Sequence, residues 1–386
     1  MQKVLLLDTN FSSAPIYHYL VKSGFEVFVV GGNPNDFLAK SVKTYINQNY
    51  SIVEQTRALI EEKRFDYIVP GCNDLSYQIC AEINSQGKFY GLDTPETTET
   101  INNKYKFRAF AAKIGLPVPE LFPEEKVNKI WPLIVKPVDA YSGHGMTVLR
   151  KFQQKELPAA IDSAKKFSRS RTCIIEEFVE GQFYSHSAFI RQGEIFADFI
   201  VEEYNTANPF VVDTSRVIFS FPKKMLDSIR DSITFMAEKL NLVDGLVHTQ
   251  FIQKGNSFWL IEITRRCPGD LYSQLIELST GFKYAQTYAR PFVRQQYPKK
   301  NNTLKKTWIM RHTMSLPTEG TLGSIKFNVP VTIEKMLPIS LAGDRVKASP
   351  YGRIALIFLR SKSEKELLKL YKKTLDRNLY AIQNTY

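Results

Sequence analysis

The sequence predicts a multidomain chain that is α/β at its N-terminus, antiparallel-rich α+β in its middle, and α+β again in a C-terminal lobe. Three observations carry this reading. Short apolar runs alternate with helical patterns over residues 1–100, Gly-punctuated strand-like runs follow to about residue 300, and two further strands and one strongly periodic helix close the chain. With 386 residues, 44% of them hydrophobic, the chain can bury real cores, which excludes disordered and fibrous classes. The expected domains are 1–100, 101–300 with about 118–180 as a smaller subdomain, and a basic lobe over 301–386.

In the first region KVLLLD, IYHYLVKSG ending at Gly24, FEVFVVGG, a helix near Thr56 to Lys63, and FDYIVPG read strand-helix-strand, which argues for a parallel sheet covered by helices. Loops after such strands gather on one edge, where open α/β sheets bind ligands. The first turn, DTNFSSAP, lacks GxGxxG, so a dinucleotide reading has little support. Asp74, just after the third run, either faces a substrate or caps a helix. Further on, NNKYKFRAFAAKIGLPVPEL reads as a helix closed by Gly115 and two prolines.

The net charge of +12 is local. Residues 291–386 hold 18 basic and 6 acidic side chains, and the rest of the chain is balanced. Much of the surplus lies on SEKELLKLYKKTLDRNLYAI and the lysine just before it, where Lys362, Lys365, Lys369, Lys372 and Lys373 flank Leu367, Leu368, Leu370 and Leu375 as the solvated face of an amphipathic helix. No recognition motif or aromatic stacking platform accompanies it, so nucleic acid is not an expected partner, whereas attraction of anionic substrates is. No apolar run approaches the roughly 20 residues that span a bilayer, and MQKVLLLDTNF lacks the pattern of a signal peptide. A cytoplasmic protein without a membrane partner is expected. Cys72, Cys80, Cys173 and Cys267 show no CxxC spacing and read as reduced packing thiols.

Three segments carry chemistry. In IVKPVDAYSGHGMTVL, Lys136 ends a buried-looking strand, and Ser142, Gly143, His144 and Gly145 form a tight loop before a second strand at Met146. Backbone N–H groups of such a loop can converge on phosphate oxygens beside a fixed lysine charge, although an ordinary hairpin has the same pattern. In CIIEEFVEGQF, a strand leads into Glu176, Glu177, Phe178 and Val179, an extended stretch able to read an adenine edge or to end in solvent. In VHTQFIQKGNSFWLIEITRRCPGD, a hairpin through KGNS brings Gln250 beside Glu262 on one face, with Thr264 on that face and Arg265 and Arg266 following as possible phosphate clamps. Carboxylate and amide oxygens suit Mg²⁺, and Glu262 interrupts an apolar strand, which weakens the alternative of a merely polar hairpin.

A lysine opening a helix (Lys104), a lysine before a Gly loop (Lys136), the EExV segment and an E-x-[NT]-x-R strand, behind a small α/β domain, resemble the ATP-grasp superfamily over roughly residues 1–292. Within it the chain looks most similar to carboxylate-amine ligases, including L-amino-acid ligases and carbamoyl-phosphate-synthase-like proteins. The resemblance implies a Rossmann-like N-terminal sheet followed by ATP-grasp domains, with ATP and Mg²⁺ or Mn²⁺ as cofactors. It implies that Lys104 and Lys136 hold the α- and β-phosphates, that the Ser142 to Met146 loop covers the β- and γ-phosphates, and that Glu176 to Val179 form the adenine hinge. Gln250, Glu262 and Thr264 would hold the metal, and Arg266 would steady an acyl phosphate. Lys136, Glu262 and Arg266 would carry catalysis.

Four positions depart from the family pattern. Gln250 stands where Glu is common, Thr264 where Asn is common, Phe183 where an acid usually meets the ribose, with Glu180 nearby, and His144 where Lys or Arg is usual. The implied reaction forms an amide through an acyl phosphate, converting ATP to ADP and phosphate; the alternative is a nucleotide-binding protein with impaired or non-ligase activity. Asp74, Arg216, His248 and Asp270 are the acceptor-side candidates. The residues do not choose among amino acid, amino sugar and peptide amines, and a homodimer is compatible with the reading.

Overall fold

The first apolar run becomes β1 (Lys3–Leu7) in a computed structural model that describes residues 1–124, 127, 131–140, 143–298 and 304–384. It is followed by α1 (Ala14–Lys22), β2 (Glu26–Gly31), α2 (Phe37–Ser41), β3 (Tyr45–Asn47), α3 (Val53–Lys63), β4 (Tyr67–Pro70) and α4 (Asp74–Ile83). The four strands form a parallel sheet in the order β3-β2-β1-β4, and Val4 to Leu7 are fully buried because helices cover both faces. Strand β3 is an edge strand of three residues, too short to leave a period-two signal. The cap of α4 is Asn73, whose side chain accepts from Ser76 N–H at 2.8 Å. That leaves the Asp74 carboxylate available for other contacts.

Helices α5 (Pro95–Asn102) and α6 (Lys104–Lys113) lead to a small antiparallel sheet, order β6-β5-β7, built from β5 (Leu133–Pro137), β6 (Thr147–Leu149) and β7 (Cys173–Glu177). Helix α7 (Leu157–Phe167) packs Ala160, Ile161 and Ala164 on its Leu133, Val135 and Ile175. Strands β8 (Gln182–Arg191), β9 (Glu194–Tyr204) and β10 (Thr214–Ile218), helix α8 (Lys223–Lys239), and strands β11 (Gly245–Lys254) and β12 (Ser257–Thr264) come next. Helices α9 (Tyr272–Thr280) and α10 (Tyr284–Ala289) precede β13 (Trp308–Met314), β14 (Gly320–Phe327), β15 (Thr332–Pro338), β16 (Arg345–Val346), β17 (Ala355–Ser361), α11 (Glu364–Leu375) and β18 (Tyr380–Asn384).

Three tail strands join the central sheet, whose order is β12-β11-β8-β9-β10-β13-β17-β15 with every pairing antiparallel. One face, with Phe189, Phe199, Val201 and Leu246, packs with residues of α9, α10 and the N-terminal sheet; the other, with Ala188, Ile190, Ile200 and Val247, packs with α6 and α8. The periodic helix of the tail is shorter than its pattern predicts: it ends at Leu375, Arg377 turns with φ 55°, and Tyr380–Asn384 pairs with β14 as a strand. Its Leu367, Tyr371 and Thr374 are buried, while Lys362, Lys365, Lys369, Lys372 and Lys373 face solvent as the pattern requires. Among the described residues no helix is long and apolar enough to cross a membrane, and the four cysteines are unpaired.

His312 on β13 is buried, with Nδ1 2.8 Å from Thr214 Oγ1 and Nε2 3.1 Å from the Tyr380 hydroxyl. Burial pushes its imidazole down to about 4, against the charge of Asp213 and with Arg311 and Arg377 adding to the effect. The unfolded chain takes up a proton near pH 6.5 that the folded one refuses, so this histidine costs stability as pH falls from 6.5 towards 4. His312→Gln is expected to lessen the stability lost between pH 7 and pH 4.5 by about 1–3 kcal/mol, read from urea denaturation at the two pH values. An unchanged loss would contradict it.

Candidate active site

Strands β11 and β12 pair Gln250 with Glu262 and His248 with Thr264, and alternation turns all four side chains to the face that meets α9. The sequence expects Gln250 beside Glu262, and the structure places them so through a β-bulge: the turn pairs Lys254 with Ser257 and Phe251 with Leu260, and the register shift between Gln250 and Phe251 then brings Glu262, instead of Ile261, opposite Gln250. Across β11 the neighbour of Gln250 is Ser185 of β8. Glu262 is 45% exposed, with the Lys104 ammonium 3.9 Å away. Lys104 opens α6 behind the Asn103 cap and also donates to the Ala140 carbonyl at 2.9 Å, so it bridges the glycine-loop segment and Glu262.

Asp74 closes this face from the N-terminal sheet. Its Oδ1 accepts from Thr264 Oγ1 at 2.8 Å and from Arg266 Nε at 2.9 Å, and its Oδ2 accepts from Arg266 Nη2 at 3.1 Å. Burial alone would raise the Asp74 carboxyl, but Arg266 above all, with Thr264 and Lys104, outweighs it and holds the acid below its ordinary value. The two-pronged pairing fixes the guanidinium plane of Arg266 at the end of β12. Arg265 does not share this position: it turns inward, pairs with Asp93 at 2.6 Å, and donates to the Leu246 and Val243 carbonyls. Its expected role as a clamp gives way to anchoring β12 and β11 on the loop before α5.

Lys136 is buried and paired with Glu176, which also receives Arg108 Nε at 3.0 Å. Burial favours the neutral acid, yet two cations keep the Glu176 carboxyl below its ordinary value. Its side chain is thus consumed in holding Lys136, and what the segment offers a ligand is the backbone beyond it. There Glu177 N–H donates to the Glu120 carbonyl and Phe178 N–H to the Pro132 carbonyl, while Val179 N–H has no acceptor among the described residues. In the loop, Gly143 and Gly145 have φ +68° and +69°, and a Cβ on Gly143 would stand 2.5 Å from Phe210 Cβ, so glycine is required twice over. The His144 ring lies 5.3 Å from that of Tyr351 and 5.9 Å from that of Phe167; Met146 precedes β6, and Ser142 lies outside the described residues.

Residues 101–269, which include this constellation apart from Asp74, match the family model for the ATP-grasp domain. The chain carries an ATP-grasp domain. The formate-dependent phosphoribosylglycinamide formyltransferase of Mannheimia succiniciproducens is 28% identical over 193 residues, covering 46% of this chain and 47% of the relative. The chain thus spans about half the length of the curated relatives it matches. Among solved structures, the L-amino acid ligase from Bacillus licheniformis has a TM-score of 0.81 at 17% identity, covering 100% of this chain and 99% of that one. The biotin carboxylase domain of the Hydrogenobacter thermophilus 2-oxoglutarate carboxylase, solved with MgADP and bicarbonate, has a TM-score of 0.76 at 12% identity, with 100% and 91% covered. At these identities the likeness is one of fold.

Among the described residues no group of three or more His, Cys, Asp or Glu is placed to hold a metal ion. What the ATP-grasp domain offers is Glu262, half open to solvent, with the Gln250 amide paired beside it. One carboxylate and one amide oxygen fit a hard cation that keeps phosphate and water oxygens as its other ligands.

The acceptor-side candidates separate. Asp270 pairs with the fully buried Arg311 at 2.8 Å, and Arg311 also donates to Ser215 Oγ at 2.9 Å, on the site face. His248 is buried against Ser187 Oγ at 2.8 Å, and burial, with the charges of Arg266 and His186, pushes its imidazole down to about 3 against Asp74, so it stays neutral at ordinary pH. Arg216 is misplaced for the role expected of it. Its neighbour Ser215 occupies the site face, so alternation sends Arg216 to the opposite one, where it pairs with Glu202 at 2.6 Å and lies over the Tyr371 ring. Phe183 sits half-buried on β8 opposite Ile252, and Glu180 pairs with Arg150 at 2.9 Å.

Two residues of the ATP-grasp domain escaped the sequence reading. Arg108 reads as one more cation on a helix and only folding brings it to Glu176. Glu203 did leave a signal: in FADFIVEEY it shares a face with Phe199 and Val201, the same interruption of an apolar face that drew attention to Glu262. It is 3% exposed, its Oε1 accepts from Ser185 Oγ at 2.9 Å and its Oε2 from Gln250 Nε2 at 3.4 Å. Burial, joined by the charge of Asp270, pushes its carboxyl up to about 7 against Ser185, Arg311 and Gln250.

Proposed function

We propose that the chain is an ATP-dependent carboxylate-amine ligase. The carrying observation is the convergence on one sheet edge of Glu262, Gln250, Lys104 and the Asp74-held Arg266. Lys104 and Lys136 bind the nucleotide phosphates, the 143–146 loop covers them, and Val179 N–H reads the adenine edge. Mg²⁺, when bound by Glu262 and the Gln250 oxygen, supplies neutralisation of phosphate charge.

A substrate carboxylate oxygen attacks the γ-phosphorus, the bond to the bridging oxygen breaks, and ADP leaves. Arg266 holds the resulting acyl phosphate. An amine then attacks the acyl carbon, a C–N bond forms, and phosphate departs. The protein's contribution is positioning and fixed positive charge, since phosphoryl transfer needs little covalent help. Asp270 and Arg311 share the face on which the acceptor must lie.

The test is ADP release from the purified chain over pooled carboxylic acids and amines with Mg²⁺, followed by mass measurement of the product. ADP release that requires both an acid and an amine, with a product lighter by one water than the pair, is expected. ATP binding without turnover across a broad panel would overturn the reading in favour of a non-ligase nucleotide-binding protein, the reading that the amide at position 250 favours.

A further inference from the structure

Glu203 poses a problem of charge. It is buried, it accepts two hydrogen bonds, and among the described residues it forms no salt bridge; the nearby Arg311 is paired with Asp270. Buried carboxylates are rare unless a cation or metal neutralises them. The strand order β12-β11-β8-β9 puts Gln250 between Glu262 on one side and Ser185 and Glu203 on the other. The Gln250 amide –NH₂ donates to Glu203 Oε2, which turns the Gln250 oxygen towards Glu262, and a cation held beside that oxygen favours the ionised form of the Glu203 carboxyl. Ser185, itself 2.9 Å from the Tyr272 hydroxyl, fixes the other oxygen of Glu203.

We propose that Glu203 and Gln250 act as one divided metal-binding glutamate: Gln250 presents the ligand oxygen, and Glu203 orients it and supplies the negative charge it lacks. Glu203 is thus a positioning residue, and the proposal rests on the metal position assigned above to Gln250 and Glu262. Outer partners that orient metal ligands are typically worth about 10- to 100-fold in metal affinity.

The test is Mn²⁺ titration of the full chain in the presence of ADP, read as free Mn²⁺ by electron paramagnetic resonance, with thermal melts of each variant. Glu203→Gln is expected to weaken Mn²⁺ binding about 10- to 100-fold, and Glu203→Gln combined with Gln250→Glu, which moves the charge back onto the ligand, is expected to restore it. A purely structural role would not produce that rescue. Gln250→Glu alone should gain no affinity, because the charge is already present and a second carboxylate repels it; this decides the matter even if Glu203→Gln fails to fold. Affinity unchanged in folded Glu203→Gln, no rescue in the double variant, or tenfold tighter binding by Gln250→Glu alone would each overturn the proposal. The readout needs no turnover, so a chain that binds Mn²⁺ in this way yet ligates nothing would fail the ligase reading and leave the divided glutamate standing.

Discussion

Glu262→Ala is expected to leave a folded protein whose acid- and amine-dependent ADP release is about 10²–10³ slower, a loss of about 3–4 kcal/mol in transition-state stabilisation. Glu262 is the only carboxylate in the set of Gln250, Glu262 and Thr264, so its removal leaves no direct anionic ligand on the site face. The structural cost is small by comparison. Glu262 is 45% exposed and its cationic neighbour stands 3.9 Å off, and exposed pairs of that kind contribute roughly 0–1 kcal/mol. Lys136→Ala is expected to lose rate to a similar degree through a different contact, the nucleotide phosphates. A circular-dichroism melt beside the ADP assay separates rate from folding, and full ADP release by either variant, with substrates that the parent chain uses, would contradict the assignment.

Glu176→Ala is expected to act on stability first, lowering it by about 3–5 kcal/mol, the usual cost of stripping one partner from a buried ion pair. Lys136 is 5% exposed and Arg108 1% exposed, so two cations would share a dry site without their anion. Arg108 also donates to the Leu260 and Ile261 carbonyls at 2.8 and 3.0 Å, which ties α6 to β12 just ahead of Glu262. Loosening that tie should disturb the site as well as the fold. Guanidinium denaturation of the purified variant measures the effect, and a change below about 1 kcal/mol, the scale of an exposed pair, would show that water reaches the trio.

The contrast between these two glutamates marks how far the sequence could be read. Both follow or interrupt apolar strand residues and both looked like candidate site acids. Glu262 ends beside Lys104 at an open edge, whereas the Glu176 side chain is consumed by Lys136 and Arg108. No local pattern distinguishes them, because burial is set by what packs on the strand from elsewhere in the chain.

What the sequence determined by itself follows from short-range physics. Strand alternation and a four-residue turn joined β11 to β12 as a hairpin, although a bulge at Gln250 and Phe251 set the final pairing of Gln250 with Glu262; glycine at positive φ shaped the 143–145 loop; strand-helix alternation dictated the parallel sheet. Only the tertiary structure decided the rest. It set Asp74 against Thr264 and Arg266 across some 190 residues, Arg108 against Glu176 across 68, and Glu203 against Gln250 across 47. It also sent Arg216 to the far face and drew β13, β15 and β17 into the central sheet. Such contacts carry no sequence period, since their partners are chosen when the sheet closes and each buried charge must find an opposite one or a hydrogen bond.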